Sequence, residues 1–283
     1  MKTLCTLPIC ECLQKATDFI EERHAVRPNW FDINPTQKEF LDFYFRHVSL
    51  PELKSIVDTQ VDIVNYWARS HGFDIQLDSM DDPYAFYAGS IFDLLLKWSK
   101  PGTKKKLEIE GKDFQGARVT DHFGTYYSEV GEVCSIRCDN GDTVYMMEYE
   151  EDITELFGLL ALTTRAEFTL MQNNDYKAVV FPAVKVNDYP NINWLQGLTE
   201  NDTGLYYYIA QALQQIKFQI DHEGAHVESC VLMGLAASGC YMNPKPPKPD
   251  FVIDKRFVVW IKRDGFVNPL FIGHFDKEDW LDA

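Results

Sequence analysis

The chain has 283 residues, with 27 Lys plus Arg against 43 Asp plus Glu and a formal net charge of −16. Its 46% hydrophobic content is that of an ordinary globular protein and excludes a disordered tail, a collagen or a low-complexity chain. The acidity excludes nucleic acid as a partner, because binding a phosphate backbone needs a basic surface. The one compact basic run, Lys104-Lys105-Lys106, reads as a solvated turn.

The length allows one large domain or two small ones. No apolar run reaches the ~18 residues that span a bilayer, so no membrane partner is expected. The first residues carry one Lys and a short apolar stretch broken by Pro8, with no small-residue cleavage site, a poor secretory signal. Seven cysteines in a long chain do not read as a disulfide framework, and reduced thiols in a cytoplasmic compartment are expected. The sequon Asn201-Asp202-Thr203 matters only in a secreted chain.

In chain order, Asn34-Pro35-Thr36-Gln37 predicts a helix start, followed by Phe40, Leu41, Tyr44, Phe45 and Val48 at helical spacing. Ser49-Leu50-Pro51-Glu52 predicts a second helix, with Leu53, Ile56, Val57, Val61, Val64 and Trp67 as its stripe and Gly72 as its stop. Residues 84–98, apolar almost throughout, predict a central strand. Residues 133–137 and 143–147 flank Asn140-Gly141 and predict a hairpin. Residues 152–162 read as a helix, and 165–171 and 176–186 as strands, the latter with Pro182 marking an edge or bulge. Residues 191–198 read as a short helix, 216–220 as a strand, and 252–262 and 269–275 as two strands joined by Asp264-Gly265. The order predicts an α+β fold of mixed, largely antiparallel sheets with several helices. It is read as a single domain, 1–283, mainly helical over 1–73 and mainly β over 74–283.

His222-Glu223-Gly224-Ala225-His226 matches H-E-x-x-H, whose two His bind one zinc ion only from a helix. Residues 216–220 alternate with period two, as a strand does, and Gly224 weakens a helix by about 1 kcal/mol. In a strand the two His lie about 13 Å apart, at roughly 3.3 Å per residue. A zinc hydrolase is therefore the least favoured reading, and neither a metal nor another cofactor is expected. Cys230 and Cys240, near these His in sequence, read as loop cysteines rather than a Cys–His pair. No Gly-x-Ser-x-Gly or Walker loop is present, so no enzyme activity is expected.

Three stretches of the C-terminal third resemble the serpin family. Ile216-Lys217-Phe218-Gln219-Ile220-Asp221-His222-Glu223-Gly224-Ala225 is similar to the strand that runs into the Glu-Gly-Thr/Ala hinge. Phe251-Val252-Ile253-Asp254-Lys255-Arg256-Phe257 and its continuation to Ile261 resemble the Phe-x-x-Asp-x-Pro-Phe-x-x-x-Ile strand after the reactive loop, with Arg256 in place of Pro. Pro269-Leu270-Phe271-Ile272-Gly273 is similar to the closing Leu-Phe-x-Gly strand. Upstream, residues 61–72 resemble the helix packed across the main sheet. Residues 87–101 resemble the strand ending in Lys-Trp, which makes Trp98 the breach tryptophan. Ser90 stands where the family has the shutter Asn. The chain is shorter than a full serpin, which implies that the first helices are absent or reduced to the segment before Asn34.

The resemblance implies a multi-sheet serpin-like fold and a serine protease inhibitor acting as a suicide substrate, whose exposed reactive-centre loop, 225–249, is cleaved and then inserted into the main sheet. Glu223, Gly224, Ala225, Val227 and Ser229 are the implied hinge, and Ser90 and Trp98 the shutter and breach. The usual loop length places the reactive bond near Ser238-Gly239, within the stretch Leu235 to Met242. The alternation permits insertion: Ala225, Val227, Ser229, Val231 and Met233 share one uncharged face, each buried Val contributing about 1.5–3 kcal/mol. Glu228 and His226 on the other face are bulky and would slow it. The implied partner is a serine or cysteine protease of chymotrypsin-like or elastase-like preference, because 234–242 holds no Arg or Lys. The alternative is a non-inhibitory serpin-fold binding protein, to which Ser90, Arg256 and the missing alanine run point.

Overall fold

The computed structural model describes residues 2–45, 49–155, 157–200, 204, 206–227 and 249–283. In chain order the strands are β1 (Thr3–Leu4), β2 (Trp30–Phe31), β3 (Leu53–Asp58), β4 (Tyr87–Phe92), β5 (Leu94–Lys97), β6 (Thr103–Ile109), β7 (Lys112–Val119), β8 (Phe123–Ser128), β9 (Gly131–Arg137), β10 (Thr143–Glu148), β11 (Met171–Asn173), β12 (Val179–Pro182), β13 (Val184–Asp188), β14 (Thr199–Glu200), β15 (Ile216–Ile220), β16 (Gly224–Val227), β17 (Phe251–Val252), β18 (Phe257–Lys262) and β19 (Phe271–Phe275). The α-helices are α1 (Leu7–His24), α2 (Pro35–Glu39), α3 (Val61–Ser70) and α4 (Gly158–Phe168). Two compact units result: a β-rich one of Met1–Thr3, Leu94–Val186 and Lys217–Ala283, and a helical one of Leu4–Asp93 and Asn187–Ile216.

The β-rich unit is built on a sheet of order β1-β19-β18-β10-β9-β8-β11, with two four-stranded sheets, β17-β12-β7-β6 and β13-β15-β16-β5. The strand pairs β8–β9, β9–β10, β10–β18, β18–β19, β8–β11, β6–β7, β7–β12, β15–β16 and β16–β5 are antiparallel, and β12–β17 is parallel. Its core is aromatic: Phe218 stacks on Phe271 and Phe275 at ring separations of 4.6 and 5.2 Å, and all three are buried. The Trp260 indole N–H donates to Glu167 of α4 at 3.0 Å, and Lys262 pairs with the same carboxylate at 2.9 Å, which ties helix to sheet. The hairpin at Asn140-Gly141 forms as predicted, with Thr143 opposite Arg137 and Gly141 in the left-handed region at φ 90°.

In the helical unit α1 packs on β3 and β4, and α3 packs on the same two strands. The predicted second helix is half strand. Residues 53–58 pair antiparallel with β4, and only 61–70 are helical. Leu53, Ile56 and Val57 fit a helical stripe equally well, but β-branched Ile56 and Val57 suit a pleated surface and the partner strand decides. The single strand read over 84–98 is two strands in different sheets, broken at Asp93, whose N–H donates to the Glu52 carbonyl at 3.0 Å.

Other boundaries shift for local reasons. The Asn34 side chain accepts from the Gln37 N–H at 2.9 Å, as a cap should, but α2 is short and continues as a π-turn over Phe40–Tyr44. Val48 lies outside the described residues. The helix read over 152–162 begins at Gly158 and absorbs most of the segment read as a strand over 165–171, leaving β11. The short helix read over 191–198 is a 3-10 turn, Asn193–Leu195. Lys104, Lys105 and Lys106 lie on strand β6, exposed, rather than in a turn. The segment before Asn34 carries the 18-residue α1, with Pro8 in its first turn, where a missing N–H costs nothing.

Candidate functional site

The region singled out by the H-E-x-x-H match and the hinge resemblance is a hairpin. β15 enters as Ile216-Lys217-Phe218-Gln219-Ile220, with Ile216, Phe218 and Ile220 buried. The turn closes with the Asp221 N–H donating to the Gly224 carbonyl at 2.9 Å, and the Glu223 N–H donating to the Asp221 carboxylate at 2.8 Å. β16 returns antiparallel, Gln219 opposite His226 and Ile220 opposite Ala225. It is also antiparallel to β5 on its other side, Gly224 opposite Lys97, Ala225 opposite Leu96 and Val227 opposite Leu94. The first residues of the predicted loop are thus a central strand with a partner on either edge. Ala225 is 0% exposed and faces the core beside Leu94 and Leu96.

The turn is held through three consecutive carbonyls. Asp221 O accepts from the Trp98 indole N–H at 3.0 Å, His222 O from the Gly102 N–H at 2.7 Å, and Glu223 O from the Trp98 backbone N–H at 3.1 Å. Trp98 itself is buried and sits edge-on to Phe181 at 6.2 Å. Gly224 is required by space: a Cβ there would lie 2.0 Å from the Leu96 carbonyl oxygen. Its φ is not in the left-handed region, so the requirement for glycine is steric and not conformational.

A zinc site of the H-E-x-x-H kind needs both His on one helical face. Here His222 lies in the turn, flanked by Asp221 at 3.8 Å and Glu223 at 3.7 Å, while His226 lies on β16. The motif is a coincidence of turn and strand.

Ser90 lies on β4 in the helical unit, opposite Ser55. The Ser55 hydroxyl donates to the buried Glu11 carboxylate of α1 at 2.8 Å, whereas the Ser90 hydroxyl is buried without a hydrogen-bond partner among the described residues. Ser90 and Trp98, which the resemblance places on one strand, part: Ser90 lies on β4 and Trp98 just past the end of β5, in different units. Arg256, in place of the expected Pro, pairs with Asp152 at 2.6 Å. Ser229, Ser238, Gly239, Cys230 and Cys240 lie outside the described residues. Asp221 and Leu96 were missed by sequence reasoning. Asp221 had a signal in Asp221-His222-Glu223-Gly224, an Asx turn closed by Gly; the backbone role of Leu96 had none.

Cys5, Cys10, Cys12, Cys134 and Cys138 form no disulfide among the described residues. Burial pushes the Cys5 and Cys12 thiols up to about 12 and those of Cys134 and Cys138 higher still, which makes them poor nucleophiles.

No protein-family model and no curated protein matches the sequence. Solved structures do. Serpin48 of the insect Tenebrio molitor, described as a highly specific serpin, is 14% identical with a TM-score of 0.54, over 96% of this chain and 90% of that one. The thermophilic serpin Tengpin in its native state is 11% identical with a TM-score of 0.56, over 97% and 88%. The fold is therefore the α+β, multi-sheet fold of the serpins, with mostly antiparallel sheets.

Proposed function

We propose that the chain is a protease inhibitor of the serpin type, a suicide substrate whose loop 225–249 is cleaved and then inserted as a new strand. One observation carries this reading: β16, the start of that loop, already lies between β15 and β5, antiparallel to both, with Ala225 buried. A strand that continues from Val227 in the same sense extends an existing pairing, and each added residue gains ladder hydrogen bonds and apolar burial. The implied target is a serine or cysteine protease of chymotrypsin-like or elastase-like preference, cutting near Ser238-Gly239. The compartment that suits the unpaired thiols is the cytoplasm.

The test is incubation with chymotrypsin, elastase and a cysteine protease, read on denaturing gels and by melting curves. A covalent complex stable to SDS, together with a higher melting temperature of the cleaved chain, is expected. Cleavage with neither result selects the second reading, a non-inhibitory serpin-fold binding protein. That reading draws on the short β5, which begins only at Leu94 after the break at Asp93, and on the Ser90 hydroxyl, which has no hydrogen-bond partner among the described residues.

A further inference from the structure

β3 forms a sheet with β4 alone, and its other edge receives no strand among the described residues. The phase of the β3–β4 ladder tells which groups point outward. The Asp93 N–H donates to the Glu52 carbonyl, so Glu52 and Asp93 form a hydrogen-bonded pair in the register that sets Leu53 opposite Phe92. Residues of the same parity, Lys54, Ile56 and Asp58, therefore turn their backbone groups to β4. Leu53, Ser55 and Val57 turn theirs outward. The Leu53 N–H donates to the Leu50 carbonyl, which leaves the N–H and carbonyl groups of Ser55 and Val57 at the edge without a backbone partner among the described residues. The side chains here are half-buried although Leu53, Ile56 and Val57 are apolar, and neither Pro nor a bulge guards the strand.

The segment Leu53-Lys54-Ser55-Ile56-Val57-Asp58 is self-complementary. Laid antiparallel on itself about Ile56, it sets Ser55 against Val57 and Val57 against Ser55, the two residues with open backbone groups, for four hydrogen bonds. It also sets Lys54 against Asp58 twice, in non-hydrogen-bonded pairs, where side chains approach closest. The Ile56 side chains meet on the two-fold axis. Ile56 sits beside Trp67 of α3, where Gly89 of β4 leaves room for the indole. With any other residue of β3 as the centre, no acid of β3 itself stands opposite Lys54.

The geometry points to β3 as the interface of a two-fold homodimer, in which two copies join their β3–β4 pairs edge to edge into one four-stranded sheet. This contact is isologous and closes, so it yields dimers and not fibres. It is independent of the inhibitory reading, since denaturing gels separate the subunits of a non-covalent dimer before cleavage is read.

Light scattering after size exclusion, over a range of concentrations, should find a mass twice the 32.7 kDa of the chain. Lys54→Asp and Asp58→Lys each place like charges opposite one another twice and should weaken the dimer about tenfold or more. The double exchange Lys54→Asp/Asp58→Lys should restore it. Lys54 and Asp58 of one strand are about 13 Å apart, so pairing within a chain cannot mimic the rescue. Circular dichroism on each variant checks that it folds. Ile56→Cys should give a disulfide-linked dimer under mild oxidation, because a non-hydrogen-bonded antiparallel pair has the spacing a disulfide needs. The wild type and Lys54→Cys should not. A monomer at every concentration, a dimer indifferent to both single exchanges, or an absence of Ile56→Cys cross-linking would overturn the proposal.

Discussion

Gly224 touches a backbone carbonyl that no sequence pattern reveals. Gly224→Ala puts a methyl 2.0 Å from the Leu96 oxygen, so β16 must leave β5 or β5 must bend. A loss of about 1–3 kcal/mol is expected in denaturant unfolding, with new protease cleavage near the turn. Trp98→Phe keeps the ring packing and removes the bond to Asp221, at a cost of about 1 kcal/mol. His274 supplies the pH dependence. It is buried, its Nε2–H donates to the Tyr149 carbonyl at 2.9 Å, and burial lowers its pKa below the ordinary 6.5, opposed by that hydrogen bond. Below pH 6.5 the unfolded chain takes up a proton that the folded chain refuses. Stability should therefore fall as the pH drops from 6.5 to the lower folded value and level off beneath it. Unfolding midpoints measured across that range should lose this slope in His274→Gln.

Elements were legible where local chemistry and tertiary context agreed. Asn140-Gly141 named its hairpin because a two-strand turn with positive φ asks for those residues. The structure adds a clasp: Asp142, 1% exposed, accepts from Arg263 of the β18–β19 connection through two bonds of 2.8 Å. Asp142→Ala should cost about 2–4 kcal/mol by removing both charged bonds to Arg263. Added salt should change that loss little, because ions do not reach a buried carboxylate. Helix α1 was missed because Pro8 reads as a break unless it is known to occupy a first turn. The segment 53–58 was misread because its apolar spacing serves both periods, and only the presence of β4 opposite chose the strand.

At the scale of the whole molecule, a net charge of −16 predicts that the chain passes a heparin column at low salt without retention, since Lys100, Lys106, Lys112 and Arg118 are each paired with an acid. Retention would show that the exposed Lys104 and Lys105 act as a site of their own. The amino-acid sequence by itself determined the α+β character, the strand over 216–220, most of the strand read over 269–275, and the strand-like setting that keeps H-E-x-x-H off a helix. All of these rest on periodicity and turn residues within a few positions of one another. The tertiary structure decided that 84–98 breaks into two strands and that Gly224 is demanded by a distant carbonyl. It also decided that Ser90 and Trp98 part company and that the outer edge of β3 receives no strand among the described residues. Each of these depends on which backbone lies opposite, a relation between residues far apart in the chain that no local pattern carries.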